Sequence, residues 1–257
     1  MKIFATYNIK GGVGKTATAV NLGYLAARDG FRVLLWDLDP QGAASFLFRV
    51  KPRVKGGGKA LIQGSRPIDG AIKGTDFENL DLLPADFTYR NLDLLLDAAK
   101  QPARKLASLL RPLKADYDAV FLDCPPSISL LSESVLHAAD LLLVPLIPTT
   151  LSVRTLEQLT GFIDGFDGHK PRVLAFFSMI DRRKRLHREI SEQLPTQRPD
   201  VAATAIPALS LIEQMAVHRA PVAAFAPRSA AARQYAQLWQ EIRDRTALPA
   251  PEPDNVW

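Results

Sequence analysis

The chain has 257 residues, 47% of them hydrophobic and 23% charged, with a formal net charge of +5. This fits one large α/β domain with ample core. It excludes a helical membrane protein, because no apolar run approaches the ~18–20 residues a span needs. Cys124 is the only cysteine, so no intrachain disulfide forms, and the modest positive charge leans only weakly toward a polyanionic partner.

The first segment, MKIFATYNI, reads as an apolar strand that leaves no room for a signal peptide, so a cytoplasmic protein without a membrane partner is expected. KTATAVNLGYLAARDG follows as an amphipathic helix ending at Gly30. Between them lies KGGVG, a glycine-rich turn between strand and helix, where backbone N–H groups and a helix N-terminus cradle phosphates. Gly11, Gly12 and Gly14 allow the tight turn, and Val13 and Ala17 complete the expected phosphate-binding segment. Lys15 is placed to reach the β- and γ-phosphates, and the Thr16 hydroxyl to bind Mg²⁺. The first glycine of the common phosphate-loop pattern falls here on Ile9, and a second lysine, Lys10, precedes the paired glycines.

FRVLLWDLD is a buried strand that ends in acids. Asp37 and Asp39, two apart, share a strand face. Asp37 is expected to support the metal's water shell. Asp39 is the candidate for orienting an attacking water, and the Pro40–Gln41–Gly42 turn could respond to the γ-phosphate. Residues 49–77 are basic and glycine-rich, and are expected to form a loop with one short helix near Ala60–Ile62, mobile around Gly56–Gly58. NLDLLPA is a short strand, and residues 88–114 are helical with a break near Pro102. YDAVFLDCPPS is a strand with Asp123 at its carboxyl end, an arrangement that holds Mg²⁺ opposite Thr16. ADLLLVPLIPT and PRVLAFFSMID are further strands, ATAIPA a last short one, and SAAARQYAQLWQEIRDRT a last helix. Residues 1–246 therefore read as one P-loop domain, a mostly parallel twisted sheet flanked by helices on both faces, with ligands at the strands' carboxyl ends. Residues 247–257 are Pro-rich and expected to be disordered.

KGGVGKT, LLWDLDPQG and VFLDCPPS, in this order, resemble the ParA/MinD class of deviant Walker ATPases, and DLDPQG with DCPPS resembles the ParA-type partition ATPases most. The likeness runs from about Lys2 to Ile242. It implies ATP and Mg²⁺ as cofactors and gives Lys10 a role: the family's signature lysine reaches across a homodimer interface to the partner's nucleotide, in the manner of an arginine finger. With Lys15 and Asp39 it would form the catalytic set. By resemblance the adenine sits near Met179, Asp181 and Pro207. The class also implies slow ATP hydrolysis, non-specific binding of duplex DNA by the ATP dimer, stimulation by a ParB-like or cargo-adaptor protein, and nucleoid association.

DRRKRLHRE concentrates Arg182, Arg183, Lys184, Arg185 and Arg188, which could neutralise phosphates. Many family members carry two DNA-contacting arginines where this chain has Ala208 and Leu211, so Arg219 and the 182–188 cluster are the candidate substitutes. Three other functions compete with DNA partition. The same cycle could position a protein cargo, such as a carboxysome or chemoreceptor cluster. A membrane-cycling ATPase would need a terminal basic amphipathic helix, which PAPEPDNVW is not. An iron–sulfur carrier would need several cysteines, and Cys124 alone supplies at most two per dimer.

Overall fold

A computed structural model describes residues 1–248. Seven strands form one sheet: β1 (Lys2–Thr6), β2 (Val33–Asp37), β3 (Lys73–Gly74), β4 (Leu80–Leu83), β5 (Ala119–Asp123), β6 (Leu141–Leu146) and β7 (Arg172–Phe177). Their order is β3-β4-β2-β5-β1-β6-β7, parallel except for the two-residue β3. Strands β2, β5 and β6 are buried along their whole length, and β1 in all but its first residue, as expected of a parallel sheet covered on both faces.

Helices join the strands in chain order: α1 (Lys15–Arg28), α2 (Ala43–Leu47), α3 (Gly57–Gln63), α4 (Leu92–Asp97), α5 (Lys105–Leu110), α6 (Leu130–Ala138), α7 (Thr150–Asp164), α8 (Arg185–Gln197), α9 (Ser210–Glu213), α10 (Met215–His218), α11 (Val222–Phe225) and α12 (Ala230–Thr246). One core layer joins α3 to α7 to one sheet face, and the other joins α1, α2 and α12 to the opposite face. Buried Asn21 and half-buried Asp29 fix α1 in this second layer. Asn21 Oδ1 accepts from Val222 N at 2.9 Å, and Asp29 at the end of α1 accepts from Trp239 Nε1 at 2.9 Å and Arg243 Nη1 at 3.0 Å. The middle and the end of α1 are therefore tied to α11 and α12.

Three expectations are corrected. ATAIPA forms no strand. Residues 201–207 run beside β7 through two isolated bridges, Ala175 to Val201 and Ile180 to Pro207, and Pro207 has no N–H to extend a ladder. Gly56–Gly58 is not a loose hinge. Gly56 and Gly57 take φ of +87° and +63°, and a Cβ on Gly57 would stand 2.6 Å from Thr88 Oγ1, so these glycines permit close packing of α3 on the 86–92 segment. Finally, Ala247 and Leu248 still belong to the body: Leu248 N donates to Arg243 O and its side chain packs on the core, while the rest of the proposed tail lies outside the described residues.

Candidate nucleotide and magnesium site

The site grows from three adjacent strand ends. Register pairs Thr6 of β1 with Asp123 of β5, and Asp123 with Asp37 of β2, so two carboxylates and a hydroxyl lie side by side at the carboxyl edge of the sheet. Both carboxylates are fully buried. Asp37 Oδ2 accepts from Ser45 N and Ser45 Oγ, each at 2.7 Å, which ties it to α2. Its Oδ1 has no partner, and neither does Asp123 Oδ2. Burial raises the Asp37 pKa to about 6 against the opposing pull of the Ser45 bonds. Burial and the neighbouring Asp37 charge drive Asp123 well above the carboxylate range, with the Thr16 hydroxyl pulling the other way.

Leaving a buried carboxylate oxygen unpaired is costly, and a nearby cation reverses that cost. The two orphaned oxygens, with the Thr16 hydroxyl in contact with Asp123, fit a divalent cation that keeps several waters, as Mg²⁺ does. Among the described residues no cluster of three or more acidic, His or Cys side chains forms a closed protein cage, which agrees with a metal completed by phosphate and water.

The loop crosses in front of these acids. Gly12 and Gly14 take φ of +71° and +94°, and Gly14 is the left-handed N-cap of α1. A Cβ on Gly14 would meet Ser178 Oγ at 3.0 Å, whereas one on Gly11 or Gly12 would meet nothing within 4 Å, so those two face open cleft. Lys15 is only 7% exposed. Its ammonium donates to Lys10 O at 3.0 Å, across the loop it would share with phosphate. Burial lowers its pKa, and the charges of Asp123, Cys124 and Asp39 work in the opposite direction. Lys10 is pinned by its backbone on both sides, since Lys10 N also donates to Asn8 Oδ1 at 2.9 Å, while its side chain is exposed.

A cleft of about 420 Å³ runs from this loop to the far side of β7. It is lined by Gly11, Gly12, Gly14, Lys15, Thr16 and Ala17, by Asp39, and by Met179 and Pro207 at its far end. The phosphate residues, the candidate water-orienting acid and two of the three expected adenine neighbours therefore meet in one place. Val13 is buried and its side chain does not line the cleft. Asp181 does not line it either: its carboxylate is taken up by Arg183, through Nε and Nη2 at 2.9 Å each. Met179 holds φ +56°, an uncommon conformation for a residue with a side chain, at the mouth of the cleft.

Sequence reasoning missed Ser178, Tyr235 and the α9 residues Ile212 and Glu213, which also line the cleft. Ser178 had a readable signal, since it directly follows a strand's carboxyl end. Tyr235 had none, because it reads as one more buried position of the last helix.

The basic candidates separate. Arg182, Arg183, Lys184, Arg185 and Arg188 are exposed around the start of α8, but Arg183 is paired with Asp181, and Arg185 with Glu189 at 2.6 Å. Arg219 lies elsewhere. Its Nε donates to Phe46 O at 3.0 Å and its guanidinium covers the Phe46 ring at 4.6 Å, which fixes it beside α2. The sheet order puts β2 four positions from β7, roughly 19 Å at ~4.8 Å per strand, so Arg219 does not extend the α8 cluster.

The family model described as an AAA domain matches residues 1–175. The sporulation initiation inhibitor protein Soj of Bacillus subtilis is 33% identical over 94% of this chain and 98% of its own length. The chromosome partitioning protein ParA of Caulobacter vibrioides is 31% identical over 97% and 98%. This chain belongs to the ParA family of P-loop ATPases. Among solved structures, Mycobacterium smegmatis cobyrinic acid a,c-diamide synthase with a bound ATP analogue and magnesium superposes with a TM-score of 0.79 at 26% identity, covering 98% of this chain and 100% of that one. An ATP complex of a Cyanothece McdA variant shares the fold with a TM-score of 0.83 at 20% identity, covering 98% and 99%. The expected family and the mostly parallel P-loop fold of this ParA-family chain are thus borne out. Among its described residues no helix is long and apolar enough to cross a membrane.

Proposed function

We propose that this chain is an ATP-driven partition ATPase. Two copies close face to face on two ATP molecules, and the ATP dimer holds duplex DNA without reading its sequence. Hydrolysis is slow alone and is stimulated by a ParB-like or cargo-adaptor protein. The cycle segregates plasmid or chromosomal DNA in the cytoplasm, on the nucleoid. The partition roles printed for the Soj and ParA relatives support the cargo assignment.

The observation that carries the reading is the division of labour between two lysines. Lys15 is buried and turned into the loop, where it serves phosphate within its own subunit. Lys10 has its backbone locked by that same loop and its side chain outside it, with no ion pair among the described residues. A cation on a fixed backbone beside its own phosphate loop, with its side chain free to reach outward, is suited to neutralise charge on a nucleotide in a facing subunit. Thr16, Asp37 and Asp123 would hold Mg²⁺, which when bound neutralises charge on the β- and γ-phosphates. Asp39 lines the same cleft as the loop, with Oδ1 accepting from Gln41 N at 2.9 Å. A second lone-pair set remains to orient water.

Calorimetry with Mg·ATP and a phosphate-release assay test the assignment. Lys15→Ala is expected to lose ATP binding, because its ammonium is the buried cation of the loop. Asp39→Ala is expected to bind ATP like the parent and release no phosphate, since water orientation matters only to the chemical step. Unchanged affinity in the first variant, or normal turnover in the second, contradicts the roles given.

A further inference from the structure

We infer that a second basic surface, at the β3–α3 edge of the sheet and far in sequence from the α8 cluster, is a phosphate-contacting surface for duplex DNA. It deepens the DNA-binding reading above and rests on it. Segment 51–73 carries Lys51, Arg53, Lys55, Lys59, Arg66 and Lys73 against a single acid, Asp69. All six cations are exposed, and none is in an ion pair among the described residues. The α8 cluster, in contrast, spends two of its five cations on Asp181 and Glu189.

The segment is not a solvated tether. Val54, Ala60, Leu61, Ile62, Ile68 and Ala71 are buried and anchor it to the body. That anchoring folds separate stretches together: Arg53, Lys55 and Lys73 line one open recess of about 610 Å³ around Gly56 and Gly57. Arg66 does not line the recess but stands next to it, its Nε 3.7 Å from where a Gly56 Cβ would stand. The one carboxylate in the recess, Asp86, is already occupied. Its Oδ2 accepts from Val54 N at 2.8 Å, and its Oδ1 from Thr88 N at 2.9 Å and Thr88 Oγ1 at 2.6 Å.

The lining contains no aromatic face for a base and no buried charged group free to fix a small molecule. A shallow array of exposed cations on an anchored backbone, with only Asp86 near Arg53 to offset it, reads phosphates rather than bases, which is the chemistry of sequence-independent duplex binding.

The test is duplex binding by the Mg·ATP form across a salt series. It compares the parent with an Arg53→Gln, Lys55→Gln, Lys73→Gln variant and an Arg182→Gln, Lys184→Gln, Arg188→Gln variant. Each neutralised phosphate contributes about 0.9 to the slope of log affinity against log salt. The first variant is expected to bind at least roughly tenfold more weakly, with a slope reduced by about 2 to 3, while its basal ATP hydrolysis equals the parent's. If the first variant binds like the parent and the second loses binding, the edge surface is overturned and DNA binding itself stands. If the parent shifts no duplex at any salt, the DNA reading fails and takes this surface with it.

Discussion

Asp37 and Asp123 are carboxyl groups placed where the fold alone disfavours their charge. Each is buried with one oxygen unpaired, and their strands set them at the same register. For Asp37 the sign of the pH effect follows directly. Its folded pKa, about 6, lies above the ordinary 3.8, so the folded state binds the proton more tightly than the unfolded chain. Its contribution to stability is therefore full below about pH 4 and falls away as pH rises toward 6. Above that, the ionised form costs the metal-free protein up to about 3 kcal/mol, taking 1.36 kcal/mol per pKa unit. Asp37→Asn keeps an oxygen for Ser45 and removes the charge. It is expected to be more stable than the parent by about 1–2 kcal/mol in urea at pH 7.5, with the gap closing by pH 4, and to bind Mg·ATP more weakly. A variant less stable than the parent at both pH values would show that the buried charge is structurally favourable.

The same scale explains what the sequence could and could not reveal about the site. Lys15, Thr16, Asp37, Asp39 and Asp123 could be nominated because phosphate and magnesium chemistry restricts both residue type and spacing, and the fold gathers them at the carboxyl ends of β1, β2 and β5. Ser45 was not, although it holds Asp37 by two hydrogen bonds. Its role depends on α2 folding back over β2, which no spacing rule announces. Asp181 looked like an adenine neighbour, but nothing in the sequence warns that Arg183, two residues on, closes over its carboxylate.

At the scale of elements, strands were easier to read than the helices around them. A parallel strand buried on both faces is a continuous apolar run, and VLLWD, AVFLD and LLLVPL declare themselves. Pro145 is tolerated inside β6 because the β1 pairing ends at Leu143, and beyond it the Pro145 carbonyl serves Asn8 Nδ2. The α3 region misled for the opposite reason: glycines signal freedom in sequence, whereas Gly57 and Gly58 here are buried contact points. The Thr88 hydroxyl that accepts from Gly58 N at 2.8 Å also donates to Asp86. Gly57→Ala would press a methyl into that hydroxyl from a φ of +63°. It is expected to cost about 2–4 kcal/mol in a denaturant titration, adding backbone strain to overpacking. Gly64→Ala is the control, with a similar φ of +66° but nothing within 4 Å, and is expected to cost only the backbone part, about 1 kcal/mol. Equal costs for the two would mean that the contact with Thr88 carries no weight.

The whole molecule presents its chemistry at one edge of the sheet. The strand order puts β1, with the phosphate loop, between β5 and β6, and Asp37 of β2 follows just beyond β5. Ligand at the carboxyl ends of these strands follows from parallel α/β topology itself. The sequence alternation was sufficient to foresee that, though not that residues 201–207 would lie beside β7 as bridges. On the proposed reading a second copy closes over the cleft, and Lys10, exposed next to the Gly11–Gly12 lining, is the cation it meets. Such closure would link nucleotide binding to assembly, since a ligand that binds only the dimer stabilises the dimer.

The most direct test of that account is sedimentation of Lys10→Ala and Asp39→Ala with Mg·ATP and with Mg·ADP. The account predicts that Asp39→Ala forms a long-lived dimer in ATP, because its assembly surfaces are intact and only turnover is lost. It predicts that Lys10→Ala stays monomeric and turns over little ATP, because the cation joining the two sites is gone. A Lys10→Ala protein that dimerises in ATP and hydrolyses it at the parent rate would contradict the account and leave Lys10 as an ordinary surface charge.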